Sequence, residues 1–152
     1  IAMIVGYLGF GRAADARARG GKGVLPLLGG GLACASVSLG LLALGTRTGA
    51  LALWCGFIGG STSIVLAFSL LSRRYPKELV GRANTGVNVF GFSGMFLGQW
   101  GIGAVLDLWP QSAAGYDPAA YHWALGIAWA LQIAGLAWLW SGRRLFETRA
   151  AV

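Results

Sequence analysis

Residues 47–74 read RTGALALWCGFIGGSTSIVLAFSLLSRR, and this stretch decides the fold. Arg47 opens it, Arg73 and Arg74 close it, and positions 48–72 between them carry no charge. A helix needs about 20 residues, at a rise of about 1.5 Å each, to cross the hydrocarbon of a bilayer. The stretch is long enough, with a few residues over for tilt. Three further uncharged runs of similar length flank it: 23–46, 83–106 and 118–142. A fifth, 1–11, is half as long. The spacing predicts an all-α integral membrane protein, a polytopic helical bundle with four full spans and one partial one.

Composition agrees. Of 152 residues, 56% are hydrophobic and 11% are charged, against about 25% charged in an ordinary soluble domain. A disordered chain, a secreted disulfide scaffold and most soluble enzymes are excluded on this ground. A signal peptide would need basic residues before the 1–11 run and a small-residue cleavage site after it. The basic residues follow the run instead. The expectation is therefore a truncated span, and a fragment that begins midway through a helix.

The net charge of +7 is a topology signal. Segment 12–22 holds Arg12, Arg17, Arg19 and Lys22; segment 73–82 holds Arg73, Arg74, Lys77 and Arg82; the tail, 143–152, holds Arg143, Arg144 and Arg149. The connections between them hold Arg47 alone. Eleven of the 12 basic residues thus fall on alternate sides of the spans. The positive-inside rule makes those two loops and the tail cytoplasmic, and the expected location is a plasma membrane, the bacterial inner membrane. A nucleic-acid surface would interleave stacking aromatics with its cations. Only Tyr75 does so, and no nucleic-acid partner is expected.

Each span has its own character. Span 23–46 carries Pro26 in its first turn, where a missing N–H costs nothing, and Gly29-Gly30-Gly31. Span 48–72 carries Gly56-x-x-x-Gly60, a spacing that permits close helix contact, followed by hydroxyls that can bond to backbone or across helices. Span 83–106 is the most polar. At about 100° per residue, Asn84, Asn88, Gly91, Met95, Gly98 and Gln99 share one face, while Val87, Val89, Phe96 and Leu97 lie elsewhere. Lipid would not select that face, so it should meet protein or a water-filled cavity. Span 118–142 begins with Asp117 as N-cap and Pro118 at the first helical position. Its Trp123, Trp138 and Trp140 suit the two interfacial belts, which makes it a peripheral helix. His122, at its outer end, reads as an interfacial residue.

No full span holds an ionisable residue in its core. Intramembrane proteases, metal-dependent membrane enzymes and proton pumps need one there, so no enzyme activity is expected. Cys34 and Cys55 fall at different depths of successive spans and are expected to be unpaired, buried small side chains. With one His on another helix, no metal or other cofactor is expected. The 26 glycines are expected inside helices, not in a phosphate-cradling loop. An internal echo is present as well. Gly9-Phe10-Gly11-Arg12-Ala13-Ala14-Asp15 and Gly101-Ile102-Gly103-Ala104-Val105-Leu106-Asp107 both read Gly-x-Gly-x-x-x-Asp; each closes its span, and the charge pattern puts one end inside and the other outside. An inverted-topology repeat would produce that relation.

These residues resemble the major facilitator superfamily. Gly11, Asp15 and Arg19 occupy positions of its Gly-x-x-x-Asp-Arg-x-Gly-Arg loop pattern, with Ala16 and Ala18 replacing the Arg and the second Gly. Residues 76–84 are similar to the connection before the family's eleventh helix, and Gln99-Trp100-Gly101-Ile102-Gly103 with Asp107-Leu108-Trp109-Pro110 to that helix's end. The resemblance covers the whole chain, from the second half of helix eight to helix twelve. It implies a secondary transporter in which two six-helix bundles rock about a midplane site. The implied partners are the lipid bilayer, a small-molecule or ion substrate and an N-terminal bundle of the same polypeptide. In that picture span 48–72 lines the cavity, 83–106 packs at the bundle interface, and 23–46 and 118–142 lie outside. Ser61, Thr62, Asn84, Asn88 and Gln99 become candidates for contact with substrate or the opposing bundle, or else helix–helix glue. Asp15 and Arg19 become a gating-loop pair, or else part of a solvated loop. Were transport proton-coupled, the coupling carboxylate would lie outside this chain. The competing readings are a small multi-span scaffold or assembly protein without transport activity, and a membrane-embedded enzyme domain.

Overall fold

Glycine ends two of the helices. The first helix, α1, runs Ala2–Arg19. Beyond it Gly21 takes φ +66°, and the amide of Lys22 donates to the Arg17 carbonyl at 2.9 Å. The second, α2, runs Leu25–Ala43. Beyond it Gly45 takes φ +81°, and the amide of Thr46 donates to the Leu41 carbonyl at 3.1 Å. Both are Schellman ends, in which a residue without Cβ reverses the chain while the orphan carbonyls find donors. The glycines expected inside helices therefore include two that stop them.

The computed structural model describes residues 1–112 and 115–143. After α2 come α3 (Ala50–Ser61), a 3-10 turn at Thr62–Ile64 and α4 (Val65–Ser72). The 30-residue α5 (Lys77–Leu106) follows. Strands β1 (Gln111–Ser112) and β2 (Gly115–Tyr116) pair antiparallel, and α6 (Pro118–Ser141) completes the described chain. Among the described residues the regular structure is all helical apart from that short pair. Four segments are long and apolar enough to cross a membrane: Leu25–Ala43, Ala50–Ser72, Lys77–Leu106 and Pro118–Ser141. It is a multi-pass membrane protein by that measure.

The expected N-cap of α6 forms: the Asp117 carboxylate accepts from the Ala119 amide at 2.8 Å, with Pro118 in the first turn. Two boundaries differ from those expected. Segment 12–22 is not a loop: α1 stays helical to Arg19, so Arg12, Asp15, Arg17 and Arg19 ride on its last turns. Segment 73–82 is a loop only as far as Pro76, since α5 begins at Lys77. A charge marks where hydrocarbon ends, whereas a helix ends where its backbone is stopped. Of the basic tail, Arg144 and Arg149 lie outside the described residues.

The core gathers on α2, which carries Leu28, Ala35, Leu39 and Leu42 among its buried residues. Val24, Leu28 and Leu66 form one cluster, closed over by Phe10, Ala14, Leu70 and Leu139. Within the described bundle α2 packs on α3 and α6, and α1 packs on α3. Span 23–46, assigned an outer place by the family resemblance, is thus the centre of this chain's own packing. The reason lies in its small residues, which let neighbours approach its backbone. By contrast α5 touches α4 and α6 and contains no buried residue.

Candidate functional site

Small residues let three helices meet at the middle of the α3–α4 span. A Cβ built on Gly60 would stand 2.5 Å from the Gly31 carbonyl and 2.9 Å from the Ala35 amide nitrogen, so α3 touches the backbone of α2 there. On Gly6 of α1 it would strike the Thr62 hydroxyl and come within 2.9 Å of the Gly59 carbonyl. On Gly31 it would strike Ser63 and come within 2.7 Å of the Phe10 ring. The Gly56-x-x-x-Gly60 spacing does what its chemistry allows: Gly56 faces Ser38 of α2, one helical turn from the Gly60 contact. Cys34 of α2 and Cys55 of α3 are free thiols, exposed and not buried as expected; the Cys34 sulfur lies 4.0 Å from the Gly56 carbonyl oxygen.

The hydroxyls of this region are directed at backbone. Ser61 donates to Phe57 at 2.7 Å and Thr62 to Gly59 at 2.6 Å, both back along the same span. Ser63 donates across to Leu28 of α2 at 3.3 Å. Such back-bonding bends helices and competes with the regular ladder. It coincides here with the change from α to 3-10 winding at Thr62–Ile64. Thr62 is 4% exposed and Ser63 0%, while Ser61 is half-buried. Ser63 is the residue that sequence reasoning passed over. It was legible only as part of the Ser-Thr-Ser run, because nothing in the run says which hydroxyl faces a neighbour.

The second group lies apart from the first. Asn84 is half-buried, and its Oδ1 is buried without a hydrogen-bond partner among the described residues. Asn88 and Gln99 are exposed, as is every position from 87 to 100. About four turns at the middle of α5 thus stand uncovered by the other described residues on all sides. Apolar side chains take one side, including Val89, Leu97 and Trp100. The Asn88, Gly91, Met95, Gly98, Gln99 face takes the other. Lipid can solvate the first and not the second.

Gly11, Asp15 and Arg19 are all exposed on α1, with Asp15 and Arg19 four residues apart on one helix face. Among the described residues no ion pair joins them. Arg17 carries the local structure: its Nε donates to the Gly23 carbonyl at 2.9 Å and ties the loop to the helix end. The echo at the far end of α5 differs. There Asp107 accepts from the Tyr116 hydroxyl at 2.9 Å and so holds the β1–β2 connection. A Cβ on Gly9, Gly11, Gly101 or Gly103 would meet nothing within 4 Å, so these glycines make no close contact within the chain.

Along the α2–α6 contact, indole rings lie on glycines. Gly40 faces Trp129, with a built Cβ 2.8 Å from the indole, and Gly29 faces Trp140 at 3.5 Å. Trp140 therefore packs as well as facing outward, and the Arg143 guanidinium lies 4.9 Å from its ring centroid. At the α2 end of this seam the His122 Nδ1 lies 2.9 Å from the Ala43 carbonyl oxygen. A carbonyl only accepts, so Nδ1 carries the proton and satisfies one of the last orphan acceptors of α2. Set against known families, curated proteins and solved structures, the chain matches none of them.

Proposed function

We propose that the chain is the helix-eight-to-twelve part of a transporter of the major facilitator type, and that the whole protein moves a small solute across a membrane by alternating access. One observation carries the reading. The most polar of the four membrane-length helices, α5, has its Asn88–Gln99 face uncovered by the other described residues. In a bilayer such a face needs protein or water against it, and a second helical bundle enclosing an aqueous path supplies both. The 3-10 turn at Thr62–Ile64, midway along the α3–α4 span, supports it as well. Interrupted helices near the midplane are a recurrent feature of transport sites.

In this reading Asn84, Asn88 and Gln99 face the substrate path or the opposing bundle, and Ser61 and Thr62 hold the interrupted helix in shape. Asp15 and Arg19 lie where the opposing bundle's cytoplasmic loops would meet α1. The protein sits in a plasma membrane with the basic segments inside, and it acts without a cofactor and without enzymatic chemistry. The test is transport itself. Cells producing the intact protein should differ from control cells in the content of at least one small solute. Asn88→Ala should reduce that difference about tenfold, the worth of one or two good hydrogen bonds, and Asp15→Asn should slow it. Solute contents identical to the control, or unaltered transport in both variants, would contradict the proposal.

A further inference from the structure

At the end of the bundle remote from the basic segments, a hollow of about 270 Å³ opens between the end of α2 and the start of α6. Leu42, Leu125 and Pro118 give it apolar walls, and Thr46, Arg47 and Tyr121 bring polar groups to it. Arg47 is the only basic residue in any connection at this end. It is exposed, and among the described residues its guanidinium has no hydrogen-bond or ion-pair partner. The two carboxylates at this end are otherwise engaged, Asp117 with the Ala119 amide and Asp107 with the Tyr116 hydroxyl. The His122–Ala43 bond clips the start of α6 to the end of α2, so the two walls are held together.

We infer that this hollow binds the phosphate of an anionic membrane lipid. An unpaired guanidinium presents a fork of donors that matches phosphate oxygens, and the hydroxyls of Thr46 and Tyr121 add donors beside it. The apolar walls suit the glycerol and upper acyl carbons of a lipid, which a free anion lacks. The hollow also lies at the ends of two membrane-length helices, level with the headgroup region of a bilayer. The inference is independent of transport, since it needs only that the helices span a membrane.

Native mass spectrometry of the intact protein, released from bilayers of phosphatidylglycerol and phosphatidylcholine, tests it. The wild type should retain one phosphatidylglycerol in preference to phosphatidylcholine. Arg47→Gln should lower that retention about tenfold, as expected for one charge-assisted contact, and Arg47→Lys, which keeps the charge and loses the fork of donors, should fall between Arg47→Gln and the wild type. Arg82→Gln, at the opposite end, should leave retention unchanged, and millimolar inorganic phosphate should not displace the lipid. Arg47 is exposed, so its variants should keep the wild-type circular dichroism. Full retention by Arg47→Gln would overturn the inference. So would an equal loss in Arg82→Gln, which would mark a general charge effect, or displacement by inorganic phosphate, which would mark a soluble-anion site.

Discussion

Gly60 shows how much of this bundle rests on single missing methyl groups. Its neighbours are the Gly31 carbonyl and the Ala35 amide of α2, and backbone cannot swing aside as a flexible side chain can. Gly60→Ala should therefore destabilise the protein by about 1–3 kcal/mol through overpacking. Gly30→Ala should cost nothing comparable, because a Cβ there meets nothing within 4 Å. Thermal unfolding of the two variants in lipid makes the comparison, and equal stabilities would refute it. The Gly56–Gly60 spacing announced this contact from sequence. Gly6, Gly31 and Ser63 announced nothing, because a glycine or serine in an apolar run does not say which helix it will meet.

Elements repeat the lesson at larger size. The uncharged runs located the four membrane-length helices of the described residues, since the bilayer imposes length and apolarity together. They misplaced the ends of α1 and α5, since the cost of a charge in hydrocarbon says nothing about where a helix stops. The glycines at positions 21 and 45 were the true stop signals, and in a chain with 26 glycines they did not stand out. The 3-10 turn within 50–72 was illegible for a different reason: it coincides with hydroxyl back-bonding amid packing from α1 and α2, and that packing is not a local pattern. The start of α6 was fully legible, because Asp-Pro is a local device that needs no tertiary partner. Asp117→Ala should remove the cap bond to Ala119 and cost about 1 kcal/mol. An unchanged melting temperature would show that the cap contributes nothing.

For the whole molecule, eleven of the 12 basic residues falling on alternate sides of the spans should fix one orientation. In a background with Cys34 and Cys55 replaced by serine, Glu78→Cys should resist a membrane-impermeant thiol reagent applied to intact cells, and Thr48→Cys should react. The opposite pattern would reverse the topology. The candidate site is a matter of this scale too. Its α5 face was legible as polar, but what covers that face belongs to no residue described here.

The central claim is that the Asn88–Gln99 face of α5 borders water or protein while its opposite face borders lipid. Scanning cysteines along α5 in the same background, with water-soluble thiol reagents applied from either side of the membrane, tests it most directly. Cysteines at 84, 88, 91, 95 and 98 should react or be protected by a solute, in a period of about 3.6 residues. Cysteines at 89, 97 and 100 should stay inert. Equal reaction on both faces, or reaction confined to 89, 97 and 100, would contradict the account.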